Sequence, residues 1–251
     1  MFEPRQLQKF FALNAPRDYN QITDVEISRH LVYLFVFLSF AKGSSRALQV
    51  DSNHNQELVE AMVAQQSGRY LDAIKIYRTI LDASPRNKDA LHHFGMAMYA
   101  LKRVNEARQL LRASLVVNND QPDVHMNLAR ISFNEKSFDE TDQHLVEVLR
   151  LTPDHAEARI LKGRRYAANS RHAEAVEQFL TVLDSKPDDL DVALRLADSY
   201  EKIGKLQDAI LYYEYILQHA PSDRKARINY ALLLRRAGQL DESLKQCEEG
   251  L

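Results

Sequence analysis

The chain is 251 residues long, 45% hydrophobic and 27% charged, with no Trp and a lone Cys, a balance that excludes the disordered, collagenous and disulfide-scaffold classes. Its 33 Lys and Arg stand against 35 Asp and Glu, for a formal net charge of −2, so it has no global electrostatic footprint for nucleic acid or an anionic membrane. Cys247 can form neither an intrachain disulfide nor a cysteine zinc site, and only seven Gly and seven Pro leave long stretches free to be helical.

Residues 1–53 hold six of the ten Phe (Phe2, Phe10, Phe11, Phe35, Phe37 and Phe40) and read as a separate element. Thr23 and Glu26 have the spacing of a capping box, and Ile22 and Ile27 that of a hydrophobic staple, which predicts a helix from Thr23 to Lys42, ahead of Gly43. Within it Leu31 to Ala41 is an apolar run. At about 1.5 Å per residue it covers about half of the ~30 Å hydrocarbon core, too little to span a bilayer. Ser39-Phe40-Ala41 has the look of an export cleavage site. The segment before it, however, balances Arg5, Lys9, Arg17 and Arg29 against Glu3, Asp18, Asp24 and Glu26, whereas an export signal leads with positive charge. The favoured reading of 1–53 is a cap over the open end of the 54–251 region, or a contact with a partner. An export signal, a membrane anchor through residues 31–41 and a non-native extension are the alternatives, and a cytoplasmic location is preferred to an exported or membrane-associated one.

From His54 onward the punctuation recurs. Pro85, Pro153, Pro187 and Pro221, with Asn119 in the one gap, step by 34 residues, while Gly95 and Gly163 share one phase and Gly68, Gly204 and Gly238 another. A period of that length is the signature of stacked helix pairs. The repeats start at His54, Lys88, Pro122, Ala156, Leu190 and Arg224, the last cut short. Position eight is always small (Ala61, Gly95, Ala129, Gly163, Ala197, Ala231), and so is position twenty (Ala73, Ala107, Thr141, Ala175, Ala209, Ser243). Position twenty-four is bulky in five repeats (Tyr77, Leu111, Leu145, Phe179, Tyr213) and Cys247 in the sixth, and position twenty-eight is Leu from Leu81 to Leu251. Positions four apart stack on one helical face, as needed where helices cross. The nineteenth position is acidic throughout (Asp72, Glu106, Glu140, Glu174, Asp208, Glu242), which suits the positive end of a helix dipole and marks the start of each second helix. The expected fold is all-α, a right-handed solenoid of stacked antiparallel helix hairpins over 54–251.

Small at eight, Gly at fifteen, Ala at twenty, aromatic at twenty-four and Pro at thirty-two together resemble the tetratricopeptide repeat (TPR), in five complete copies and a sixth cut short. The chain departs from that pattern at the fourth position, which is Glu57, Leu91, His125, Arg159, Ala193 and Arg227, and at the seventh, where Glu60 and Lys162 stand. Looser packing is therefore expected in repeats one and four. The last repeat stops at Leu251, with Leu240, Leu244 and Cys247 on a helix that no polar capping helix follows. The expectation is that the natural polypeptide continues, or that a second molecule covers this face, self-association through this helix included.

No phosphate-cradling glycine loop, nucleophile elbow or metalloprotease helix motif is present in the sequence, so no catalysis and no cofactor are expected. His92-His93 is the most tempting metal pair, but neighbours on a helix point about 100° apart. His125, His144, His155, His172 and His219 are scattered over the repeats without ligand spacing, and no metal is expected. The tyrosines read as core or groove lining, because a nucleic-acid platform would also need a basic stripe.

The TPR resemblance implies that the first helices line an inner groove on which an extended peptide or a partner helix lies. Carried onto this sequence, the groove residues are Met62, His92, Met96, Tyr99, Asn127, Arg130, Phe133, Arg164, Arg195, Asp198, Asn229 and Arg235. Met62, Met96 and Met126 suit an adaptable surface. Arg130, Arg164 and Arg195 suit carboxylates or phosphates, unless they are solvated or spoken for by Asp198 and neighbouring acids. The family's Lys, Asn and Arg carboxylate clamp is not reproduced. The expected function is a non-catalytic scaffold or adaptor for a protein or peptide, an acidic one by the groove's arginines, with no role in nucleic-acid binding. The alternatives are the N-terminal repeat part of a longer sulfotransferase- or glycosyltransferase-type enzyme, and an exported or membrane-associated envelope-assembly factor.

Overall fold

The computed structural model describes residues 47–249, in which every regular element is an α-helix. Among the described residues there are twelve: α1 Ala47–Gln66, α2 Tyr70–Ala83, α3 Lys88–Ala100, α4 Val104–Val117, α5 Pro122–Asn134, α6 Phe138–Leu151, α7 Ala156–Ala168, α8 His172–Ser185, α9 Leu190–Lys202, α10 Leu206–His219, α11 Arg224–Arg236 and α12 Leu240–Glu248. The helix expected from Thr23 and the Leu31–Ala41 run lie outside the described residues.

Helix boundaries follow the repeat. Helices α3, α5, α7, α9 and α11 each open on the first residue of a repeat, and all six second helices open on position seventeen. Only α1 departs, starting at Ala47, ahead of the repeat boundary at His54.

The ends are fixed by hydrogen bonding. At position thirty-four the side chains of Asn87, His155, Asp189 and Asp223 accept from the N–H of Ala90 (2.9 Å), Ala158 (3.3 Å), Val192 (3.1 Å) and Ala226 (3.0 Å), satisfying donors that a helix N-terminus leaves orphaned. Gln121 makes no such bond, and Pro122 opens α5 instead. Each first helix closes through a pair of backbone bonds, such as Gly204 N–H to Glu201 O and Lys205 N–H to Tyr200 O. This is the Schellman pattern, which needs a left-handed residue at position fifteen. Gly68, Gly204 and Gly238 supply it with φ of 76°, 81° and 79°, and Lys102, Lys136 and Ser170 adopt it at 65°, 61° and 60°.

The packing columns are filled as expected at three positions. Tyr77, Leu111, Leu145, Phe179 and Tyr213 at position twenty-four are at most 1% exposed, and the residues at eight and twenty are buried with them. The reason for small residues at eight is direct: a Cβ on Gly163 would stand 2.6 Å from Phe179 Cε1, and one on Gly95 3.0 Å from Leu111 Cγ. The Leu column is weaker than its regularity implies, since Leu81 and Leu183 are buried whereas Leu115, Leu149 and Leu217 are only half-buried. Cys247 is exposed. Two of the odd fourth positions hold hydrogen-bonded side chains: Arg159 and Arg227 reach back to the carbonyls of Pro153 (2.9 Å) and Pro221 (2.7 Å).

The chain divides into two compact units, Met1–Asn119 and Asp120–Leu251. The described part of the first contains α1 to α4 around Ala61, Tyr77, Ile80, Phe94 and Met98. The second contains α5 to α12 and two buried clusters, one of Met126, Ala129, Leu145, Val148, Ala158 and Leu161, the other running from Ala175 to Leu234 around Phe179, Leu196 and Tyr213.

Candidate protein-binding site

In the first compact unit, α1 and α3 carry Met62, His92, Met96 and Tyr99, all half-buried. The His92 and His93 rings stack with centroids 4.9 Å apart, nearer than their angular separation on the helix suggested, and His93 also stacks on Tyr77 at 6.4 Å. Tyr77 donates its hydroxyl to Gln65 Oε1 at 2.8 Å, and burial pushes its phenol up to about 12.

In the second unit, the structure brings four of the groove residues together. Phe133, Arg164, Arg195 and Asp198 line a recess of about 290 Å³, with Ala167, Ala168, Phe179 and His172 among the other walls. The Arg164 guanidinium lies 5.0 Å over the Phe133 ring, a cation–π contact that orders it without neutralising it. Arg164 makes no ion pair among the described residues. Its pKa is lowered, first by burial and then by the charge of Arg195, with Asp191 acting in the opposite sense.

The neighbouring cations are committed. Arg195 donates to the Asp191 carboxylate at 3.0 and 3.3 Å on the same helix, an exposed pair of the kind worth about 0.3–0.5 kcal/mol. Arg130 pairs with Glu157 and donates to Asn127 Oδ1 at 3.1 Å. The acids that engage the arginines are thus Asp191 and Glu157, whereas Asp198 accepts the Tyr213 hydroxyl at 2.6 Å. Tyr213 also stacks on Tyr230 at 6.2 Å. Both phenols are raised, chiefly by burial and then by the carboxylates that accept from them, Asp198 and Glu214. Arg235 is exposed, and its neighbour Arg236 pairs with Glu201.

Two histidine roles were not visible as scattered letters. His125 and His144 face each other across the α5–α6 hairpin with their Nδ1 atoms 3.0 Å apart. They occupy positions four and twenty-three of one repeat, and that pairing of positions across a hairpin was the available signal. His155 is a helix cap. Among the described residues no group of three or more His, Cys, Asp or Glu could hold a metal ion, and no helix is long and apolar enough to cross a membrane.

Models of the tetratricopeptide repeat match residues 64–131, 143–189 and 194–251. The chain is 20% identical over 193 residues to the TPR repeat-containing protein YpiA of Bacillus subtilis, covering 76% of this chain and 45% of that protein. It is 22% identical over 203 residues to the human Protein O-mannosyl-transferase TMTC1, covering 78% of this chain and 23% of that protein. The chain therefore spans less than half the length of either curated relative. Among solved structures, that of PilF from Pseudomonas aeruginosa superposes with a TM-score of 0.67 at 20% identity, over 79% of this chain and 90% of that one, a likeness of fold. With repeat matches in both compact units and hairpins at the expected register, the chain belongs to the tetratricopeptide-repeat family, an all-α fold of the solenoid class that serves as a protein-binding scaffold.

Proposed function

We propose that the chain is a non-catalytic scaffold whose second compact unit holds an extended acidic segment of a partner protein. The observation that carries this reading is Arg164, a guanidinium ordered over Phe133, partly desolvated, beside a second cation and with no ion pair of its own among the described residues, the carboxylate that acts on it, Asp191, being engaged by Arg195. A partner's Asp or Glu supplies that counter-charge, at about 1.5–3 kcal/mol for a charge-assisted hydrogen bond. Arg195 joins by exchanging its weak pair with Asp191, and Phe133, Ala167 and Phe179 offer an apolar wall for a neighbouring side chain of the guest. Met62, His92, Met96 and Tyr99 form a separate and softer contact set on the first unit.

Peptide arrays of acidic, neutral and basic composition, read with the full chain and with Arg164→Glu, test this. Acidic peptides should bind preferentially, and the substitution should weaken them about tenfold to a hundredfold while the melting curve stays put, because Arg164 is exposed. Binding indifferent to peptide charge, or unchanged in the variant, would overturn the reading.

A second reading rests on the match to human TMTC1, of which the chain spans 23%: the repeats are then the recruiting segment of a longer transferase. Coding sequence for a catalytic domain on either side of these 251 codons in the natural reading frame would support it, and a natural reading frame that holds none would remove it.

A further inference from the structure

The recess that Arg164 lines holds more positive charge than one carboxylate neutralises. Its charged lining is Arg164 from α7 and Arg195, Asp198 and Lys202 from α9, three cations against one acid. Arg195, Asp198 and Lys202 follow at i, i+3 and i+7, so they share a face of α9. The Lys202 side chain, like that of Arg164, makes no ion pair or hydrogen bond among the described residues. Two cations of the lining are thus uncommitted, and Arg195 is held only by its exposed pair with Asp191.

The two nearby acids leave that excess standing. Asp198 accepts the Tyr213 hydroxyl at 2.6 Å, and Asp191 lies outside the lining with its side chain 68% exposed, where water screens its charge. Arg164 and Arg195 repel each other, and an anion bound to both relieves them. A carboxylate brings one negative charge. A phosphorylated side chain brings about 1.5 to 2 at neutral pH, with three strong acceptor oxygens, which suits two guanidinium forks and an ammonium. The apolar walls select the carrier of that group: a free phosphate ion leaves Phe133, Ala167, Ala168 and Phe179 bare, whereas the stem and flanking residues of a polypeptide cover them.

We infer that this recess takes a phosphoserine or phosphothreonine of the partner polypeptide, whose phosphate oxygens are shared by Arg164, Arg195 and Lys202. The occupant so assigned rests on the acidic-segment reading of the groove and sharpens it. A carboxylate docks here weakly and a phosphorylated residue firmly, so phosphorylation of the partner sets how much of it the scaffold holds.

Three fluorescein-labelled peptide pools test this, alike in their degenerate flanks and centred on phosphoserine, glutamate or serine. Each is titrated with the full chain and with Lys202→Gln and read by fluorescence polarisation, and inorganic phosphate is added as a competitor. The phosphoserine pool should bind about tenfold tighter than the glutamate pool, and the serine pool more weakly than either. Lys202→Gln should narrow the ratio of phosphoserine to glutamate affinity about threefold or more, with an unshifted melting curve because Lys202 is exposed. Equal affinity for the phosphoserine and glutamate pools, with serine weaker, would end the phosphate assignment and leave the acidic-segment reading in place. Three equal pools, or none that binds, would end both. A phosphoserine preference undiminished in Lys202→Gln, or displacement by inorganic phosphate as potent as by unlabelled phosphoserine pool, would also count against the assignment, the last marking a site for the free ion.

Discussion

Phe179 decides what can stand at position eight of the fourth repeat. Its ring carbons Cε1 and Cζ would lie 2.6 and 2.8 Å from a Cβ placed on Gly163, inside the contact limit, and the ring is itself buried among α9 and α10 residues. Gly163→Ala should therefore cost about 1–3 kcal/mol by overpacking, read as a lower urea midpoint at unchanged slope. Adding Phe179→Leu should return part of that loss. Gly95→Ala should be milder, because its Cβ would stand farther off, 3.0 Å from Leu111 Cγ and 3.2 Å from the Ala107 carbonyl oxygen; equal costs at the two glycines would refute this account. Size at positions eight, twenty and twenty-four was legible because it recurs with every hairpin. The partners of the groove arginines were not, because their acids come from unrelated separations: Asp191 lies 4 residues from Arg195 and Glu157 lies 27 from Arg130.

The hairpin turn is where the six copies differ in strain. Three place Gly in the left-handed position, and three force Lys102, Lys136 and Ser170 into it at φ of 60–65°. A side chain there costs about 1–2 kcal/mol, against the ~0.5–1 kcal/mol of extra unfolded-state entropy that Gly brings. Each of Lys102→Gly, Lys136→Gly and Ser170→Gly should then stabilise the chain by up to ~1 kcal/mol, and the triple variant should melt several degrees higher. A triple variant that melts lower would show that these side chains make contacts worth more than the strain. The acidic column at position nineteen lies in the first turn of each second helix, two residues past the position seventeen where those helices open. The caps at position thirty-four were not legible, since Asn, His and Asp perform the same hydrogen bond there and no single residue type marks the column. The start of α1 at Ala47 escaped notice for a related reason: residues 47–53 take no part in the recurrence.

Across the whole molecule, buried phenols tie stability to alkalinity. Tyr77 in the first compact unit is raised to about 12, and Tyr213 and Tyr230 in the second are raised further by burial and by carboxylates that accept their hydroxyls. Each folded-state value lies above the ordinary value near 10, so the folded chain refuses to release protons that the unfolded chain gives up. Their contribution is intact below about pH 10 and is lost as pH climbs from there through the raised values, at about 1.4 kcal/mol per pH unit for each phenol. Urea unfolding at stepped alkaline pH should show that decline, with phenolate absorbance of these three appearing only as the chain unfolds. Phenols that titrate near 10 while the helices persist would contradict it. The family and the hairpin stack could be read from the letters because backbone packing dictates them. The choice of guest could not, since that rests on which charges stay uncommitted once side chains have found one another. The recurrence of the same paired backbone bonds at every hairpin turn, 34 residues apart, has an evolutionary corollary. Excising or duplicating one step between equivalent codons rejoins helix ends that already match, so gene duplication can lengthen or shorten such a chain while its interior grammar is inherited unchanged.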